Sequence, residues 1–114
     1  LPKGLFGGAQ YIKALEARSE ASQIIQHYEN PEIVFEAGHY YLVRGLTSHN
    51  NYWDATSIRI KQRMPSSEAL EILVTNYEPK IILTSPTLSE LVNGFDQYTV
   101  LTNSELFLLA ERVR

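Results

Sequence analysis

The chain has 114 residues, 44% hydrophobic and 20% charged, with no cysteine, and ten basic residues against thirteen acidic ones leave a formal net charge of −3. This composition fits one globular domain that buries roughly two-thirds of the surface its unfolded form exposes. It excludes a disulfide framework and a cysteine-based zinc site, and it offers no basic cluster to track a phosphate backbone, so nucleic acid is not an expected partner. No apolar run reaches the roughly 20 residues of a bilayer-spanning helix and no signal-peptide pattern opens the chain, so the segment reads as water-soluble.

The opening Leu1-Pro2-Lys3-Gly4-Leu5-Phe6-Gly7-Gly8 reads as a linker or an added lead-in, with a single α/β domain over residues 9–114. A first residue of Leu1 rather than Met fits excision from a larger protein, and tag removal or signal cleavage gives the same start. From Ala9 to Tyr28, Ala14, Ala17, Ala21, Ile24, Ile25 and Tyr28 recur with the spacing of one helical face. Glu29-Asn30-Pro31 ends that helix, because proline cannot continue the hydrogen-bond ladder and disfavours the α region for the residue before it. A first strand is expected over Glu32 to Ala37, closed by Gly38.

His39 to Leu46 fits a short helix better than a second strand. Thr47 to Tyr52 is polar and turn-rich, Trp53 to Ser57 reads as its continuation, and Ile58-Arg59-Ile60-Lys61 alternates like a short half-exposed strand. After Pro65, Ser66 is placed to cap a helix whose Leu70, Leu73, Val74 and Tyr77 form an apolar stripe. Lys80 to Thr84 is a strand of the kind covered on both faces, and a helix running directly into it argues for parallel pairing. Ser85-Pro86 opens another helix, with Thr87 and Glu90 at capping-box spacing and Gly94 as its stop. Tyr98 to Leu101 and Leu106 to Leu109 look like a closing hairpin across Thr102 to Glu105. The expected architecture is a three-layer α/β/α sandwich, Rossmann-like, its mixed sheet closed by a C-terminal antiparallel hairpin.

Ligands of open α/β sheets sit outside the carboxyl ends of parallel strands, and two such ends are visible. After the first strand, Gly38 permits close backbone approach and His39 offers a titratable group. Before the later helix, Ser85 and Thr87 stand where the helix dipole favours anions. The same residues also fit a turn, a surface histidine and a helix cap. His27, His39 and His49 show no metal-ligand spacing, and no cofactor is implied. Ser85, His39 and Asp54 compose a triad on paper only, since no nucleophile elbow exposes the serine. Tyr52 and Trp53, beside a loop rich in Asn and His, suit either a carbohydrate or partner surface or the anchoring of that loop to the core.

Asn30 to Leu42, Ala69-Leu70-Glu71-Ile72-Leu73 with Glu78-Pro79-Lys80-Ile81-Ile82-Leu83, and the pair Tyr98-Thr99-Val100-Leu101 and Leu106-Phe107-Leu108-Leu109 carry a resemblance. From Glu29 to Arg112 their order resembles the soluble C-terminal domain of multi-pass glycosyltransferases that use polyprenyl-phosphate sugars, of the protein mannosyltransferase and aminoarabinose transferase type. The shared features are a strand followed by a small residue and tyrosines, a helix leading to a strand introduced by proline, and a tyrosine opening the penultimate strand. In that family the catalytic carboxylates and the lipid-sugar site belong to the membrane-embedded part, so no catalytic residue carries over, and Thr47 to Ser57 matches no family feature. The resemblance implies a non-catalytic extracytoplasmic accessory domain above an upstream transmembrane catalytic unit of the same protein. Acceptor glycan or lipid-linked sugar would be the further partner. The alternative is a free-standing ligand-binding or protein-interaction module, and a small enzyme comes third.

Overall fold

The stripe of small residues on the first helix sets how closely it can lie on a sheet. In the computed structural model, which describes residues 8–46 and 51–114, α1 (Gly8–Ile25) buries Ala14, Ala17, Ala21 and Ile25. The three alanines bring its backbone near the strands, and Ile25 fills the end of the contact. The helix stops three residues short of Tyr28, whose N–H bonds to Ile25 O in a tighter turn. Asn30 then takes a left-handed φ of 50°, which its short polar side chain tolerates, and turns the chain into the sheet.

Five strands follow: β1 (Ile33–Phe35), β2 (Tyr52–Asp54), β3 (Ile81–Thr84), β4 (Tyr98–Asn103) and β5 (Leu108–Arg112), in spatial order β2-β1-β3-β5-β4. β1 pairs in parallel with both β2 and β3, while β5 runs antiparallel to β3 and to β4. Every residue of β1 and β3 is buried, as expected for central parallel strands covered on both sides. Alternation splits their side chains between two cores. Ile33, Phe35, Ile81, Leu83, Phe107 and Leu109 meet α1 and the 3-10 helix Ala37–Leu42. Val34, Ile82, Leu108 and Ala110 meet α2 (Ala55–Gln62), α3 (Ser66–Tyr77) and α4 (Ser89–Asn93) on the other face. The result is an α/β domain with a mixed five-strand sheet, a C-terminal antiparallel hairpin and, among the described residues, four α-helices.

Several sequence expectations change. The lead-in over residues 1–8 and the turn at residues 47–50 fall outside the described residues, except that Gly8 already belongs to α1. Trp53 to Ser57 is not a loop, and Ile58 to Lys61 is not a strand: a three-residue strand passes directly into α2 at Asp54, whose carboxylate accepts from Thr56 N at 2.9 Å. The Ile58/Ile60 alternation misleads because only Ile58 packs inward. Ser66 does not cap α3; Pro65 occupies that position without a side-chain bond. No capping box forms at Thr87, which lies inside a 3-10 turn (Pro86–Leu88) capped by Ser85. The hairpin turn falls at residues 104–107, where Ser104 N donates to Phe107 O at 2.9 Å and Phe107 is fully buried.

Candidate functional site at the strand ends

Parallel pairing of β1 with β3 puts their carboxyl ends side by side, in the register Phe35↔Leu83. From there the chain diverges. After β1 it passes through the 3-10 helix on the α1 face towards β2, and after β3 it passes through α4 on the opposite face towards the hairpin. Such a divergence opens the crevice in which ligands of α/β sheets bind. Because β5 is antiparallel to β3, with Leu108 opposite Thr84, the hairpin turn arrives at this same end.

The register carried one residue further brings Glu36 beside Thr84, and the Thr84 hydroxyl donates to Glu36 Oε1 at 3.5 Å. Thr84 is the sole fully buried polar side chain among the described residues. Glu36 also opens the 3-10 helix in an extended conformation, its carbonyl accepting from His39 N at 2.8 Å. That bond holds the His39 main chain in the first turn after β1. Its Nδ1 is buried without a hydrogen-bond partner. Burial pushes the imidazole pKa below its ordinary value, against the opposing pull of the Glu36 carboxylate and of the nearby Leu106 backbone. A neutral imidazole presents one donor and one acceptor. The strand ends thus gather a carboxylate, a neutral imidazole and a buried hydroxyl.

The other predicted residues divide. Ser85 Oγ lies 2.9 Å from Thr87 Oγ1 and accepts from Thr87 N at 3.3 Å, so the two are engaged with each other at the start of their turn. Gly38 is exposed, and a Cβ built there meets nothing within 4 Å. Asp54 is committed to capping α2, so the paper triad with Ser85 and His39 has its carboxylate elsewhere employed. Tyr52 and Trp53, adjacent on one strand, face opposite sides. Tyr52 packs edge-on against Phe35 and donates to Val43 O at 2.6 Å, while Trp53 stacks on Tyr77 with ring centroids 4.9 Å apart. They share no single surface. Among the described residues, no group of three His, Cys, Asp or Glu side chains is placed to hold a metal ion, and no helix is long and apolar enough to cross a membrane.

Sequence reasoning missed Glu36, Thr84 and the Leu106 backbone as parts of this site. The first two carried a signal: each is a polar residue terminating an otherwise apolar strand. Leu106 carried none, since its contribution comes from chain direction. Leu106 also borders an open groove of about 230 Å³ between α1 and the hairpin turn, lined by Lys13, Glu16, Glu20 and Glu105, in which Lys13 and Glu105 pair at 3.1 Å. A second groove, of about 390 Å³, lies at the opposite end of the sheet between the end of α3 and the start of β4. Comparison with family models, curated proteins and solved structures returns no match.

Proposed function

We propose that the chain is a non-catalytic accessory domain of a membrane glycosyltransferase that uses polyprenyl-phosphate sugars. It stands on the extracytoplasmic face above an upstream transmembrane catalytic unit of the same protein and assists access of the acceptor or the lipid-linked sugar. In this reading the sheet and its two helical faces are a three-layer, Rossmann-like sandwich. One observation carries the proposal. The two most distinctive features of the resemblance, the proline leading a central strand and the tyrosine opening the penultimate one, meet in a hydrogen bond: Tyr98 Oη donates to Pro79 O at 2.5 Å. A pair of positions 19 residues apart that closes one contact supports reading them as a single motif rather than as chance residues. The test is the complete gene product, in which several membrane-spanning segments precede this domain. A reading frame opening within a few residues of Leu1 overturns the proposal.

The strand-end cluster favours a second reading, a free-standing module that binds a small hydroxylated ligand. The imidazole Nδ1 of His39, near the Glu36 carboxylate, lacks a partner, and a buried polar atom left unpaired costs about 1–3 kcal/mol unless something satisfies it. Amide chemical-shift changes around Gly38 and Ser85 on adding sugars, nucleotides or lipid phosphates support this reading. A flat response to all three classes removes it.

A further inference from the structure

Between Asp54 and Glu68 the sequence holds three cations, Arg59, Lys61 and Arg63, and no carboxylate, although the protein is acidic overall. The rest of the chain accordingly has seven basic residues against all thirteen acidic ones. The three cations fall on α2 and on the residue that closes it, Arg63, whose left-handed φ of 53° lets its N–H bond back to Arg59 O. Residues 60–63 form one uninterrupted exposed run. Within it Ile60 is 65% exposed, the most exposed large hydrophobic side chain among the described residues. The described ion pairs, Lys13 with Glu105 and Lys80 with Glu111, leave Lys61 and Arg63 out, and the α3 carboxylates Glu68 and Glu71 join neither of them. Arg59 Nε is buried without a hydrogen-bond partner.

Like charges this close repel one another, and an isoleucine held in water forgoes its transfer free energy. Both penalties disappear against a surface that is anionic outside and apolar just beneath. A nucleic acid supplies the first property without the second. We propose that the C-terminal turn of α2 is a docking surface for an anionic lipid leaflet, with Lys61 and Arg63 against the headgroup phosphates and Ile60 at the acyl boundary. The inference stands on the patch alone and holds whether or not the chain has the parent protein proposed above.

The test is sedimentation of the 114-residue chain with vesicles of mixed phosphatidylglycerol and phosphatidylcholine, and with phosphatidylcholine alone, at low and high salt. Binding is expected to the anionic vesicles only, in the millimolar lipid range, and to fall with salt. Each cation near an anionic surface is worth about fivefold in partitioning, so K61Q/R63Q weakens binding roughly 25-fold. I60S weakens it several-fold at unchanged charge. The control R18Q/R44Q, which removes the same charge at exposed positions elsewhere, leaves binding within about twofold once salt screens the long-range field. Equal binding to neutral vesicles, no binding to anionic ones, a loss in the control as large as in K61Q/R63Q, or preferential binding to nucleic acid overturns the proposal. Far-UV circular dichroism of each variant separates lost binding from lost fold.

Discussion

Thr84→Val tests whether the strand-end hydroxyl serves the fold or something else. The exchange keeps the shape and the β-branch of the side chain, so the packing of β3 is preserved. What it removes is one hydroxyl with no exposure to water, whose hydrogen bond to Glu36 is 3.5 Å long, at the limit of an effective contact. A typical intramolecular hydrogen bond contributes about 0.5–1.5 kcal/mol net, and one this long sits at the bottom of that range. Burying a hydroxyl without adequate compensation costs about 1–3 kcal/mol on the scale of protein mutational data. Glu36, which is half-buried, keeps access to water when its donor is gone. The balance favours valine: T84V should be unchanged or more stable by up to about 1 kcal/mol, a rise of a few degrees in Tm for a domain of this size. Urea titration followed by circular dichroism, with m unchanged, measures it. Destabilisation beyond about 1.5 kcal/mol makes the hydroxyl a structural bond and refutes the reasoning.

Tyr98→Phe leaves the Pro79 carbonyl without its donor and should cost about 1–3 kcal/mol at neutral pH, read by the same titration. Burial raises the Tyr98 pKa to about 12, above its ordinary 10.0, so its contribution is complete below pH 10 and is lost as pH rises from 10 to 12; Y98F should flatten that alkaline limb. Glu111 behaves oppositely. The Tyr28 hydroxyl first, and Lys80 after it, hold its pKa below the ordinary 4.5 despite partial burial, so its contribution is present above that value and is lost as pH falls below it, and Glu111→Gln should flatten the acid limb of Tm against pH. His39 should titrate below pH 6.5 by NMR, contributing stability above that value that is lost as pH falls; a midpoint above 6.5 would mean that Glu36 and Leu106 outweigh burial. Gly38→Ala should be neutral or stabilising by about 0.4–1 kcal/mol, because a Cβ meets nothing there and the alanine restricts the unfolded chain. If a ligand approaches that backbone, G38A lowers its affinity while leaving Tm unchanged or higher.

The segments legible in the sequence are those whose own periodicity agrees with what covers them. β3 is apolar throughout because both faces are buried, and α3 shows its stripe because Leu70, Leu73 and Val74 all face the sheet. Residues 52–62 were illegible for the opposite reason. β2 is an edge strand of three residues, too short to display alternation, and all three are only half-buried. α2 buries just Ala55 completely, leaving Ile58 and Ile60 to imitate a two-residue period that tertiary packing overrides. The decisive local cue was Asp54, whose side chain caps the helix, and it is hard to weigh when the residues before it show no strand. At the site, His39, Ser85 and Thr87 could be named from strand ends alone. Glu36 and Thr84 needed the register that sets β1 beside β3.

The hairpin is the element that joins these local facts. A sheet of β2, β1 and β3 alone would present three parallel carboxyl ends without the hairpin turn beside them. The return of β5 antiparallel to β3 carries residues 104–107 to the same rim. There Phe107 seals the α1 core, and the Leu106 backbone comes near the His39 imidazole. On the other edge, Leu101 interrupts the β4 register between Val100 and Thr102, so a strand with a free edge is bent at the point where a straight one would invite another chain. The same hairpin therefore completes the polar rim at its turn and disfavours strand addition along its outer edge.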